Sequence, residues 1–242
     1  MCFPRSGFTI GEKSNLKKNV DKALKVEPFP VVGIGASAGG LEALRELFDA
    51  LPSDAGMAYV LILHLSPEHK SQLAEILTKN TAMPVIEATN NLHLEPDHVY
   101  VIPPNAGIFI TDGSLTLEPI KRVDGPPLPI DKFLISLAEH RKDAAIGVVL
   151  SGAGSDGTKG LQEIKVQGGY TFAQKPETAK FSEMSRSAIA QGAVDYVLTI
   201  DEMAAKLVKI SKKLGSLKLQ TLDQLEAFDD DSLSKIMSAQ QV

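Results

Sequence analysis

Ser37, His64 and Asp156 are the residues of this chain whose types and settings carry chemistry. Ser37 lies in Gly35-Ala36-Ser37-Ala38-Gly39, between the apolar run Pro30-Val31-Val32-Gly33-Ile34 and a stretch with Leu41, Leu44, Leu47 and Leu51 at helical spacing. A serine on such a strand-to-helix turn has the setting of a nucleophile elbow. His64 follows a second apolar run, 58–63, and Asp156 sits in Ser151-Gly-Ala-Gly-Ser-Asp156-Gly157 after a third, 145–150. A serine hydroxyl is a weak nucleophile at neutral pH, so an imidazole must take its proton during attack and return it to the leaving group. A carboxylate then fixes the imidazole tautomer and stabilises the imidazolium. Backbone N–H groups near Ser37 and in the glycine-rich loop are candidates for holding a developing oxyanion. The pattern points to acyl transfer. The chain order Ser, His, Asp matches none of the three familiar hydrolase orders, which disfavours an ordinary α/β-hydrolase.

Each residue also has a plainer reading. Ser37 fits a helix N-cap or a phosphate-loop serine as readily as a nucleophile. His64 at a strand tip fits a structural hydrogen bonder, and Asp156, just before a helix, fits its N-cap. Gly33-x-Gly35-x-x-Ala38 also satisfies the relaxed dinucleotide fingerprint. That fingerprint needs an acidic residue at the tip of the second strand, where this chain has His64. Of the other histidines, His69, His93, His98 and His140, no pair has zinc-ligand spacing with a cysteine or carboxylate partner. Neither a metal nor a cofactor is predicted.

The elements that must position these groups read as alternating strands and helices. Helices are expected over 74–80, from about 129 to 140, to about 167, over 184–191 and over 202–214; strands over 84–88, 170–173 and 195–198. Between them, His98–Ile102 is strand-like, and Asp112-Gly113 between alternating apolar residues predicts an antiparallel hairpin. The expected fold class is α/β, a doubly wound, mostly parallel sheet with helices on both faces and an inserted β-hairpin. In such a sheet, chemistry sits at the C-terminal ends of the strands, where Ser37, His64 and Asp156 all fall. Residues 1–28 read as a polar tail, 29–214 as the catalytic domain, and 215–242 as an amphipathic helix with the acidic run Asp229-Asp230-Asp231.

With 242 residues, 43% of them hydrophobic and 23% charged, the chain has the composition of a globular protein. A net charge of −5 argues against a general nucleic-acid binder. The single cysteine, Cys2, excludes an internal disulfide. No apolar run reaches the ~18 residues of a membrane span, and the N-terminus lacks a secretory signal. The expected location is the cytoplasm, without membrane insertion.

The chain resembles the catalytic domain of the chemotaxis protein-glutamate methylesterase family. The resemblance rests on GIGASAGGLEAL, YVLILHLSPEH, MPVIEA, HVYVIPPN, LPIDKFLISLAEH, IGVVLSGAGSDGTKGL and the segment from GGYTFAQ to SRSAI. It spans residues 30 to about 212, and the wording is nearest to the version fused to a methyltransferase in hybrid proteins. The resemblance implies hydrolysis of γ-glutamyl methyl esters on chemoreceptor signalling helices or a similar methylated protein, with glutamine deamidation as a related activity. A methyltransferase acting on the same substrate is a further implied partner. The family's catalytic residues fall on Ser37, His64 and Asp156, and its oxyanion position on Ala153. Ala38, Met184 and Arg186 are implied as its companions on the oxyanion and substrate loops. Three departures stand out: Ala153 where methionine is common, Ala38 where threonine is common, and Met184-Ser185-Arg186 in place of Met-Pro-Arg. The last is expected to alter the loop facing substrate. With a 28-residue tail in place of the usual receiver domain, phosphorylation control in cis is not expected. The alternative is a signalling or scaffold module that keeps the fold and docks receptor or partner helices without chemistry.

Overall fold

The computed structural model describes residues 29–63, 73–104, 106–111, 113–119 and 128–216. His64 and both expected tails, apart from the last helix's end at 215–216, lie outside the described residues. The strands are β1 (Val31–Ala36), β2 (Ala58–Leu63), β3 (Val85–Glu87), β4 (Leu92–His93), β5 (His98–Val101), β6 (Ala106–Thr111), β7 (Ser114–Pro119), β8 (Ala145–Val149), β9 (Tyr170–Gln174) and β10 (Tyr196–Leu198). The helices are α1 (Gly40–Ala50), α2 (Leu73–Leu77), α3 (Pro129–Arg141), α4 (Thr158–Val166), α5 (Glu183–Ala190) and α6, over 200–216.

Seven strands form one sheet in the order β10-β9-β8-β1-β2-β5-β3, every pairing parallel. β1, β2 and β8 are buried along their whole length, which is why their sequences read as unbroken apolar runs rather than alternating ones. One face carries Val32, Ile34, Tyr59, Leu61 and Val148 under α1 and α6. The other carries Val31, Val60, Ile62 and Val149 under α3, α4 and α5.

The predicted hairpin is present, β6 against β7, and β4 adds a third antiparallel strand to it. β4 has only two residues, too short to leave a periodic signal. The small sheet leans on α3, where the Ile110 amide donates to Ser136 Oγ at 3.1 Å. The helix expected over 74–80 is shorter, with 78–80 forming turns in which the Thr78 hydroxyl bonds Glu75 and Ala74 carbonyls. A threonine hydroxyl bonding back in this way competes with helix continuation. No helix among the described residues is long and apolar enough to cross a membrane.

Leaving β1, the chain runs through α1 on one face to β2; β8 lies on the other side of β1 and leads into α4 on the opposite face. The gap between β1 and β8 is therefore the topological switch point, where an open α/β sheet leaves a crevice outside its strand ends.

Candidate active site

Ser37 and the 151–157 loop meet at that crevice. The Ser37 amide donates to the Ser151 carbonyl at 3.0 Å, and the Ser37 carbonyl accepts from the Gly40 amide at 2.9 Å. The turn depends on Gly39, which takes a left-handed φ of +70° and opens α1. A Cβ there would stand 2.8 Å from Ser151 Oγ and 3.0 Å from Lys180 Cβ, so glycine is required by conformation and by space alike.

The two glycines of the dinucleotide fingerprint, Gly33 and Gly35, serve packing. A Cβ on Gly33 would lie 2.7 Å from Leu134 and 2.8 Å from Phe133, and one on Gly35 would overlap Ile130. Both therefore let α3 settle closely onto β1. Packing against α3 accounts for both glycines without a phosphate, which removes their support for the dinucleotide reading.

Asp156 is buried, and the structure corrects the reading of it as the cap of its own helix. The cap of α4 is Gly157, which makes no side-chain capping bond. Asp156 instead crosses to α3, where its Oδ2 accepts from the Ile130 amide at 3.1 Å and its Oδ1 from the Asp131 amide at 2.9 Å. The negative charge complements the positive end of that helix, and the two bonds fix the carboxylate's orientation. A carboxylate has about four acceptor positions, so two amides do not exhaust it. Asp131 reciprocates: its Oδ1 accepts from the Gly160 amide of α4 at 2.9 Å. Burial pushes the Asp131 carboxyl up, the Gly160 N–H pulls it part of the way back, and the Asp156 charge adds to the rise.

His64 lies outside the described residues, but the strand before it is placed. β2 ends at Leu63, which pairs in register with Ala36, the residue before Ser37.

Ala38 and Ala153 are both exposed at the crevice. The amides around them are engaged within the protein. Gly152 donates to the Phe181 carbonyl at 2.9 Å, and Gly154 donates to Glu183 Oε2 at 3.2 Å. The Ser37 and Gly40 amides are engaged as well.

Two of the residues expected on the substrate loop have buried side chains. Met184 is fully buried, and its sulfur and methyl pack beneath Gly152, within about 3 Å of where a Cβ would be. It props the 151–154 loop from below. Ser185 is also fully buried, with no hydrogen-bond partner for its hydroxyl among the described residues, so this departure alters the packing under α5 and not a substrate-facing surface. Arg186 is exposed, its Nε donating to Ser182 Oγ at 3.1 Å.

Ser151 is the residue that sequence reasoning left unassigned. Its buried hydroxyl donates to the Ala38 carbonyl at 2.8 Å and accepts from the Phe181 amide at 3.1 Å, while its carbonyl holds the Ser37 amide. One residue thus joins the elbow, the glycine-rich loop and the 179–182 segment. The only sequence signal was a serine at a strand's C-terminal end; its bonding partners are 113 and 30 positions away.

A family model described as CheB methylesterase matches residues 32–207. A Leptospira interrogans protein, provisionally named protein-glutamate methylesterase/protein-glutamine glutaminase, is 33% identical over 185 residues, covering 76% of this chain and 96% of that protein. A Carboxydothermus hydrogenoformans protein-glutamate methylesterase/protein-glutamine glutaminase is 37% identical over 210 residues, 84% of this chain and 60% of that one. The crystal structure of the Thermotoga maritima CheB methylesterase catalytic domain superposes with a TM-score of 0.69 at 30% identity, covering 75% of this chain and 98% of that chain.

Proposed function

Because the chain belongs to the CheB methylesterase family, we propose that it is a serine hydrolase removing methyl esters from γ-glutamyl side chains of a methylated signalling protein. The substrate class is that of chemoreceptor cytoplasmic helices, which a methyltransferase esterifies, and glutamine deamidation follows the same course with ammonia as leaving group. The observation that carries the reading is the crevice at the β1/β8 switch point, where the Ser37 amide is tied to Ser151 and the Asp156 carboxylate is clamped by two amides of α3.

In this mechanism Ser37 Oγ attacks the ester carbonyl while His64 takes the hydroxyl proton. The oxygen of the tetrahedral intermediate gains its negative charge between the N–H groups of Ala38 and Ala153; the residue after the nucleophile is the usual first donor at an elbow. Collapse breaks the C–O bond, and His64 gives its proton to the departing methoxide, releasing methanol. Water, deprotonated by His64, then attacks the acyl-enzyme and leaves glutamate with Ser37 restored. Asp156 orients His64 throughout. Arg186 belongs on the substrate side, where its guanidinium is exposed.

The experiment is methanol release from a methylated receptor signalling domain, with wild type and Ser37→Ala in parallel. Turnover by wild type and its collapse in the variant, to the ~10³–10⁴-fold over water that binding and an oxyanion hole supply, are expected. Equal inertness of both proteins would leave only the docking-module alternative.

A further inference from the structure

Phe181 is a large apolar residue whose backbone is held beside the crevice. It is 44% exposed, and of the described residues only Val166, at 76%, and Val197, at 41%, are comparable. Val166 ends α4, which has run back from the strand C-termini, and Val197 lies on the edge strand β10, three strands from β1. Phe181 alone of the three is fastened to the site. Its amide donates to Ser151 Oγ at 3.1 Å and its carbonyl accepts from Gly152 at 2.9 Å. The preceding residue, Lys180, packs over Gly39 of the elbow. The Phe181 backbone is therefore two hydrogen bonds from the Ser37 amide, on a segment pinned at both its amide and its carbonyl.

A fixed, half-exposed phenylalanine leaves apolar surface in water that a bound partner can cover. The substrate of the proposed reaction is a glutamate on a helix. Residues three and four positions from that glutamate lie on the same helical face, with Cβ atoms about 5–6 Å apart. The loop carrying Phe181 is joined to the Ser37 turn through Ser151.

We propose that Phe181 is the apolar anchor for the substrate helix, packing against a nonpolar residue one turn from the esterified glutamate. This rests on the methylesterase reading above and adds a residue that selects for helical protein substrates over free esters.

The test compares kcat/KM on two probes, a methylated receptor signalling domain and N-acetyl-glutamate γ-methyl ester. Phe181→Ala is expected to lower kcat/KM about tenfold on the methylated domain, mainly through KM, and several-fold less on the small ester. Phe181→Leu, which keeps apolar bulk, should recover most of the loss. An equal loss on both probes, or none on the methylated domain, overturns the anchor and leaves the methylesterase reading standing. A wild type that hydrolyses the small ester but not the methylated domain overturns the helical substrate together with its anchor. A wild type inert on both overturns the reading beneath them.

Discussion

At the scale of single residues, Ser151 decides how well Ser37 is held. Its hydroxyl both donates and accepts, so removing it leaves the Ala38 carbonyl and the Phe181 amide without that partner. Losing a hydrogen bond at a buried position typically costs ~1–3 kcal/mol. That cost falls on the two loops whose N–H groups are proposed to hold the oxyanion. Ser151→Ala should therefore lower kcat by about 10- to 100-fold with a smaller change in KM, since a donor misplaced by a fraction of an ångström loses mainly transition-state stabilisation. Ser151→Thr retains the hydroxyl and should recover most of the rate. Steady-state kinetics on one methylated substrate would check both, and a threonine variant as slow as the alanine one would refute the hydroxyl's role. Ser37 was legible from its own neighbours because the strand, turn and helix that aim it are contiguous in sequence. Ser151 was not, because what matters about it is a set of partners brought together by folding.

Among the elements, α3 and β1 are coupled through the absence of side chains. Gly35 leaves the space that Ile130 fills, and the Ile130 amide is one of the two that clamp Asp156. Gly35→Ala pushes a methyl into Ile130 and should destabilise the fold by ~1–3 kcal/mol, as overpacking does. It should also slow turnover more than this stability loss explains, because α3 can yield only by moving the amides that hold Asp156. Urea denaturation gives the first quantity, and kcat measured well below the unfolding transition gives the second. A destabilised variant with unchanged kcat would show that the clamp is independent of this contact. The sequence made Gly33 and Gly35 ambiguous, since a glycine spared for a phosphate and a glycine spared for a helix look alike in a string. The contact with α3, from residues nearly 100 positions later, resolved them.

For the molecule as a whole, the pair of helices α3 and α4 carries a pH dependence. Asp156 binds the first turn of α3, and Asp131 in that turn binds the first turn of α4. Burial raises the Asp131 carboxyl above the ordinary aspartate range. The folded state then holds its proton to higher pH than the unfolded chain does. This group's favourable contribution is complete below the unfolded pKa and is lost as pH rises through the raised one. Asp131→Asn keeps an oxygen for Gly160 and does not ionise. Its stability relative to wild type should grow as pH rises through that window and then level off, as read by urea unfolding between about pH 3 and 7. Parallel stability curves for the two proteins would rule out an ionising Asp131 as the source.

The sequence by itself determined the α/β class, the buried character of β1, β2 and β8, the hairpin at Asp112-Gly113, and Ser37 and Asp156 at strand ends. Each of these is written in a local signal: an apolar run, a turn dipeptide, or a glycine-flanked serine. Strand order, the third strand of the small sheet, the crossing of Asp156 to α3, the burial of Met184 and Ser185, and the bridging by Ser151 were decided only by the tertiary structure. These depend on which segments lie side by side, and that follows from how the whole set of apolar faces is buried at once. A window of residues contains the face but not its partner.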